Sequence, residues 1–345
     1  MKDKEELVQK FLKYIGKSKS LTEVCKELEI NEFEAMGLVH LAKEQGVNIV
    51  VQKLDNDIQM INQGDIEFVD SHTYTFDTDD NNEFKFIAIS DLRLGSKSQQ
   101  LSILNDIYEK GHKLGYNNVI LCGNISAGIY PITDVYAETN FIDDRQGQIE
   151  YIADMFPRVD GMKTYLITGK EDGKHLKLNK INIGKRLQEI RDDMIYLGGN
   201  SCDVKIDRAK MKVLGAKLGK TYTTSYRTQQ QIDSFRSEDK PDILLYGGLM
   251  QMEKYQYRNV HCIAVPSVCA TSKEMGDKRY ANTIGAWYVT VKTNSKGELE
   301  KVRAFNSPYY VTVKDDYKQA KPLVIEDKPK SYIKVRTPKK KGVEL

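Results

Sequence analysis

The spacing of apolar and polar positions changes period several times along the chain. It turns most sharply between Phe84 and Gly128. Phe86-Ile87-Ala88-Ile89 is a run too short for a helix and bounded by polar residues, which predicts a buried strand. Asp91 stands just past its end. Leu101, Leu104, Ile107 and Tyr108 then recur at helical spacing, and Val119-Ile120-Leu121-Cys122 predicts a second buried strand running into Gly123-Asn124. Strand, helix, strand is a βαβ unit, which implies parallel strands. Polar residues at the carboxyl ends of such strands stand where open α/β sheets put their sites.

The same reading extends in both directions. Residues 5–16 and 21–29 predict two short helices, with Ser20 and Glu23 at capping-box spacing. A third helix is expected from about Asn31 to Gln45, with Phe33, Met36, Leu38, Leu41 and Ala42 on its apolar side and Gly46 as its stop. Val47–Val51, a turn at Asp55-Asn56-Asp57, and Ile58–Ile61 predict a hairpin. Three helices and a hairpin make a winged helix-turn-helix over residues 1–62, and residues 63–83 form a polar, acidic linker or short edge strand. Beyond the βαβ unit, helices are expected at 146–156 and 181–193 and after Ser225. Strands are expected at 164–167, 194–197, 204–206, 211–214, 243–246, 260–265 and 284–291. This alternation predicts an α/β domain over 84–315, followed by a basic flexible tail, 316–345.

The frame of this domain resembles the calcineurin-like metallophosphoesterases. Their motifs run D-x-H, then G-D, then G-N-H-D/E, then G-H-x-H, each after a strand. This chain has Asp91-Leu92-Arg93, Gly123-Asn124, Gly169-Lys170-Glu171-Asp172 and Gly247-Gly248-Leu249-Met250 in that order. The resemblance covers about Ser20 to Val291 and is to the bacterial and phage subgroup with a small helical domain in front. It implies two β-sheets packed face to face with helices outside.

The resemblance also implies a pair of divalent metals held by carboxylates, imidazoles and an asparagine, which polarise a phosphate and activate water. Only Asp91 keeps its ligand type unchanged. Arg93 stands in a histidine position, and a guanidinium carries a fixed charge and no lone pair for a cation. Asn124 replaces the bridging aspartate. Lys170 and Glu171 replace an asparagine and a histidine, while Asp172 matches the acid that follows. Gly248 and Met250 replace both imidazoles of the last motif. These eight are vestigial metal-site positions, and the expectation is no catalytic residue, no bound metal and no cofactor. Buried without metals, Asp91 needs partners. A network of Asp91, Arg93, Lys170, Glu171 and Asp172 is expected to supply them.

Charge and composition narrow the partners. The formal net charge of +3 on 345 residues gives no bulk electrostatic case for nucleic acid. Residues 1–62 hold nine lysines, no arginine and eleven acids, and Glu32 and Glu34 open the third helix, the end that would meet phosphates. That favours an interaction module over a DNA reader. Residues 328–341 carry seven basic residues and no acid, so the tail is where a nucleic-acid partner is expected to bind. Five cysteines without C-x-x-C spacing fit buried thiols in a reducing cytosol. Residues 1–19 lack an apolar signal region and no run approaches a membrane span, so a cytoplasmic protein with no membrane partner is expected. The function expected is that of a catalytically inactive scaffold with a protein partner, set in phage or mobile-element nucleic-acid processes. The alternatives are a phosphoesterase with a remodelled site and a DNA-binding regulator.

Overall fold

The computed structural model describes residues 2–15, 19–44, 47–54, 57–65, 73–130, 134, 136–179, 181–215, 224–277 and 282–326. Gly46, Asp55-Asn56, the linker residues 66–72 and the basic residues 328–341 lie outside them.

The first unit comprises α1 (Lys2–Ile15), β1 (Lys19–Ser20), α2 (Leu21–Leu28), α3 (Glu32–Glu44), β2 (Val47–Leu54) and β3 (Asp57–Asp65). The strands pair in the order β1-β3-β2. Ser20 caps α2: its hydroxyl accepts from Glu23 N at 3.2 Å while the Glu23 carboxylate accepts from Ser20 N at 3.1 Å. Asn31 and Glu34 repeat the reciprocal bond at the start of α3. Val8, Phe11 and Ile15 of α1 pack with Val24 of α2 and with Ala35, Leu38, Val39 and Ala42 of α3. Phe33 and Met36, expected on the apolar side of α3, are instead 87% and 38% exposed. Helical periodicity gathers 35, 38, 39 and 42 on one face and leaves 33 and 36 off it.

The second unit is a two-sheet sandwich. Its elements are β4 (Tyr74–Phe76), β5 (Glu83–Ile89), α4 (Leu101–Lys113), β6 (Asn118–Cys122), α5 (Arg145–Met155), β7 (Arg158–Val159), β8 (Lys163–Thr168), α6 (Gly173–Asn179), α7 (Ile183–Ile190) and β9 (Met194–Gly199). There follow β10 (Ser201–Ile206), β11 (Ala209–Leu214), α8 (Thr224–Asp233), β12 (Ile243–Tyr246), β13 (Glu253–Tyr257), β14 (Val260–Ala264), α9 (Lys273–Asp277), β15 (Ile284–Thr293), β16 (Leu299–Tyr309), α10 (Asp316–Gln319) and β17 (Val324–Ile325). One sheet runs β16-β15-β5-β6-β8-β9 and the other β13-β14-β12-β11-β10-β4. Strands β5, β6, β8 and β9 are parallel neighbours, as the βαβ reading requires.

Strand alternation builds the layers. Phe86, Ala88, Ile120 and Cys122 face inward against Val204, Val213, Ile243 and Ile263 of the other sheet. Ile87, Ile89, Val119 and Leu121 face outward onto Leu104 and Ile107 of α4, Ile149 and Ile152 of α5, and Ile183 and Leu187 of α7. Behind the second sheet, Leu244, Tyr246 and Cys262 pack with Ile232 of α8. Both faces of the central strands are covered, so they read as unbroken apolar runs rather than alternating ones.

In this unit three features depart from the sequence reading. The helix expected at 181–193 is α7 alone, ending at Ile190, and α6 precedes it. The edge strands β13 and β16 carry too many polar residues to announce themselves. Of the two readings of 63–83, linker or short edge strand, β4 takes the second, pairing in parallel with β10 at the edge of the second sheet. Residues 316–326, placed in a flexible tail, are anchored. The buried Asp316 carboxylate caps α4, accepting from Leu101 N at 2.5 Å and Ser102 N at 3.2 Å. β17 pairs with β7, and Ala320, Leu323 and Ile325 pack on the outer core. No helix among the described residues is long and apolar enough to cross a membrane.

Candidate functional site

Four strand ends converge on one side of the sandwich. β5 delivers Asp91 and Arg93, β6 delivers Asn124, β8 delivers Lys170, Glu171 and Asp172, and β12, from the opposite sheet, delivers Gly248 and Met250. The backbone there is held in an uncommon shape. Asp91, Arg93, Asn124 and Met250 all have positive φ, from 48° to 58°, in the left-handed region that L residues avoid. Hydrogen bonds between the loops hold them, from Asp91 N to Gly123 O and from Arg93 N to Asn124 O. Glycine is needed where the strand ends touch. A Cβ on Gly247 would lie 2.2 Å from both Cys122 O and Ser90 Oγ, and one on Gly123 would lie 3.0 Å from Gly169 Cα at a φ of +89°.

Asp91 is fully buried, and both its oxygens are engaged. Asn124 Nδ2 donates to Oδ1 at 2.8 Å, and Gly248 N donates to Oδ2 at 3.1 Å. The Ser90 hydroxyl also donates to Oδ2, at 2.9 Å. Arg93 Nε lies 3.9 Å from Oδ1. Burial alone would lower the Arg93 pKa, but the negative charges around it, at Cys269, Glu171, Asp91 and Tyr130, outweigh burial and raise it. The Cys269 thiol is itself pushed up to about 11 by burial, so at neutral pH the carboxylates carry this effect.

Asn124 links the second pair of groups. Its Oδ1 accepts from Glu171 N at 2.9 Å. Glu171 is 2% exposed and is met by Lys174 Nζ at 2.5 Å and the Tyr130 hydroxyl at 3.1 Å. Lys174 also stands over the Tyr130 ring, 3.3 Å from its centroid. Lys170, expected to be a central cation, has a side chain 56% exposed and lies 3.9 Å from Glu171 Oε1. The buried carboxylate takes the nearer, less hydrated ammonium three residues along.

Among the described residues no cation pairs with Asp172. Its oxygens accept from Asn124 N, Ile125 N, Ser126 N and Gly169 N at 2.7, 3.2, 2.9 and 2.9 Å, and from the Ser126 hydroxyl at 2.8 Å. It is a buried clamp joining two strand-end loops. Burial pushes it up to about 6, against these donors. Met250 is 3% exposed and packs with Cys269 and Met275.

The structure therefore brings Asp91, Arg93, Asn124, Glu171, Asp172 and Gly248 together, with Lys170 and Met250 at the margin. Sequence reading missed Ser90, Ser126, Tyr130, Lys174 and Cys269. Only Lys174 gave a signal, its three-residue spacing from Glu171. These residues do not fit the metal pair that the resemblance implies. Among the described residues no three His, Cys, Asp or Glu side chains converge to hold an ion. An amide, a backbone N–H and a hydroxyl take three of the roughly four lone-pair sites of Asp91, and the Arg93 guanidinium lies 3.9 Å from Oδ1. The bridging position holds a neutral amide whose nitrogen is a donor.

No family model matches the chain, and no curated protein does. Solved structures similar to it include an archaeal phosphodiesterase, at 14% identity over 65% of this chain and 99% of that one, with a TM-score of 0.37. Vps29 from Entamoeba histolytica, solved with zinc, matches at 12% identity over 65% of this chain and 98% of its own, with a TM-score of 0.33. A predicted phosphoesterase from Streptococcus pneumoniae matches at 9% identity over 65% and 98%, with a TM-score of 0.29.

Proposed function

We propose that this chain is a catalytically inactive phosphoesterase-type sandwich that works as a binding or scaffold subunit. The observation that carries the reading is the state of Asp91. A carboxylate that must bind a cation needs open lone pairs and anionic company. Asp91 has an amide, a backbone N–H and a hydroxyl on its oxygens and a guanidinium 3.9 Å away. The strained loops remain, but they hold each other instead of an ion. Loops that satisfy one another in this way offer a partner a preorganised surface.

The test is elemental analysis of the purified full-length chain together with a phosphodiester and phosphomonoester assay in excess manganese. The expected result is no stoichiometric manganese, iron or zinc and no hydrolysis above buffer. Hydrolysis abolished by a chelator and by Asp91→Asn would establish an enzyme with a remodelled site and end the scaffold reading.

A further inference from the structure

Beside the strand-end loops, and separate from Asp91, lies a cavity of about 420 Å³. Lys97, Lys273 and Lys314 line it, together with Thr139, Ser272 and Val313. Its walls come from four loops bonded to one another. Lys97 N donates to Thr139 O at 2.9 Å, and Ala270 N donates to Ser98 O at 2.8 Å. The Gln100 side chain, 4% exposed, donates to Val313 O at 3.0 Å and accepts from Val313 N at 2.8 Å. The cavity is thus held open before anything enters it.

Its charge is not internally matched. The three lysine ammoniums make no ion pair with any described residue. The lining also holds Glu138 and Asp315, but Asp315 lies 3.4 Å from Lys318. Next to the cavity the chain leaves β16 and exposes Tyr310 and Val311, 91% and 81% accessible. These two adjacent apolar side chains lie open to a partner beside the lysines.

We propose that this cavity and its apolar rim are the docking site for an acidic, apolar segment of a partner protein. A partner carboxylate enters among Lys97, Lys273 and Lys314, and neighbouring aliphatic side chains cover Tyr310 and Val311. The site gives the scaffold reading a partner chemistry and rests on that reading. Nucleic acid fits less well. Among the described residues no arginine lines the cavity, two acids do, and Val311 and Val313 offer nothing to a phosphate backbone.

The probe is a fluorescein-labelled peptide of alternating leucine and glutamate, measured by anisotropy against the full chain. A leucine–glutamine peptide and a labelled DNA duplex serve as controls. The expected result is saturable binding of the acidic peptide that weakens by about tenfold or more in the Lys97→Glu, Lys273→Glu, Lys314→Glu triple variant. The glutamine peptide should bind as weakly as that variant binds the acidic one. A triple lysine-to-glutamine variant repeats the measurement if charge reversal disturbs folding. Val311→Asp should weaken binding without touching the lysines. No binding of the acidic peptide, or equal binding by both triple variants and the wild type, overturns the site. A duplex that displaces the peptide and loses affinity in the same variants also overturns it, in favour of a nucleic-acid groove. None of these outcomes bears on catalysis, whereas hydrolysis in the manganese assay would sink the scaffold reading whatever the peptide does.

Discussion

At the residue scale, the strand-end cluster is a set of buried polar groups satisfied by one another. Asn124 is its pivot, donating to Asp91 and accepting from Glu171 N. Asn124→Asp restores the carboxylate of the resembled motif but turns a 2.8 Å donor–acceptor contact into two facing carboxylates. The expected cost at neutral pH is on the order of 3 kcal/mol, read as a lower denaturation midpoint, because a buried charge loses its partner. Manganese should not restore it, since Arg93 remains beside Asp91. Full recovery in manganese would show that the loops still hold a metal geometry. Two other buried groups titrate in opposite directions. His175 is buried, lies 3.2 Å from Gln148 Oε1, and is lowered from 6.5 to about 4 by burial. Its contribution is present above 6.5 and is lost as pH falls toward 4. Asp172 is raised from 3.8 to about 6, so its contribution is present below 3.8 and is lost as pH rises through 6. Between these values the two offset each other. Melting curves of His175→Gln should show stability rising from about pH 7 to about pH 5, and those of Asp172→Asn should show it falling. Parallel pH profiles for wild type and both variants would contradict this assignment.

At the element scale, legibility followed burial. The central strands β5, β6, β8 and β12 are apolar on both faces, so unbroken runs such as Val119–Cys122 marked them plainly. The motif residues fall at the ends of those runs, so apolar patterning alone places them at strand ends. β16 could not be read, because at an edge its sequence LEKVRAFNSPY needs only one face apolar. Residues 316–326 were misread because charge and lysine content dominate the local pattern. The anchoring groups there are a buried Asp316 and three scattered apolar side chains. Sequence alone does not show that Asp316 caps a helix more than two hundred residues upstream. Truncation separates the two halves of this segment. Removing residues 327–345 should leave the melting temperature unchanged within about 1 °C, as expected for a change of a few tenths of a kcal/mol. Removing 316–345 should lower it by several degrees, about 2–4 °C for each kcal/mol lost. Asp316→Ala alone should cost about 1 kcal/mol as a lost cap. Equal melting of the two truncated chains would return 316–326 to the tail.

At the scale of the whole molecule, the remaining question is whether the chain meets nucleic acid. The sequence puts its basic residues unevenly, with seven in 328–341 against a net charge of +3 overall. The amino-terminal unit does not offset that. The positive end of α3 is already answered by Glu32 and by the Asn31–Glu34 capping pair. A helix entering a groove with that end would bring carboxylates to phosphates. Phe33 and Met36 on its exposed face suit an apolar partner better than a charged one. Any duplex binding by the full chain should therefore be weak and steeply salt-dependent, and it should come from residues 328–341. Titrating a labelled duplex at several salt concentrations into the full chain and into the chain ending at 326 measures this directly. The slope of log affinity against log salt should fall by about 0.9 for each phosphate contact removed, and the shortened chain should show little binding at physiological salt. Glu32→Lys with Phe33→Ala should leave the full chain's binding nearly unchanged. Binding that survives truncation and shifts severalfold in the α3 variant, upward from the added lysine or downward from the lost ring, would place the contact on the helical unit and make the chain a DNA reader.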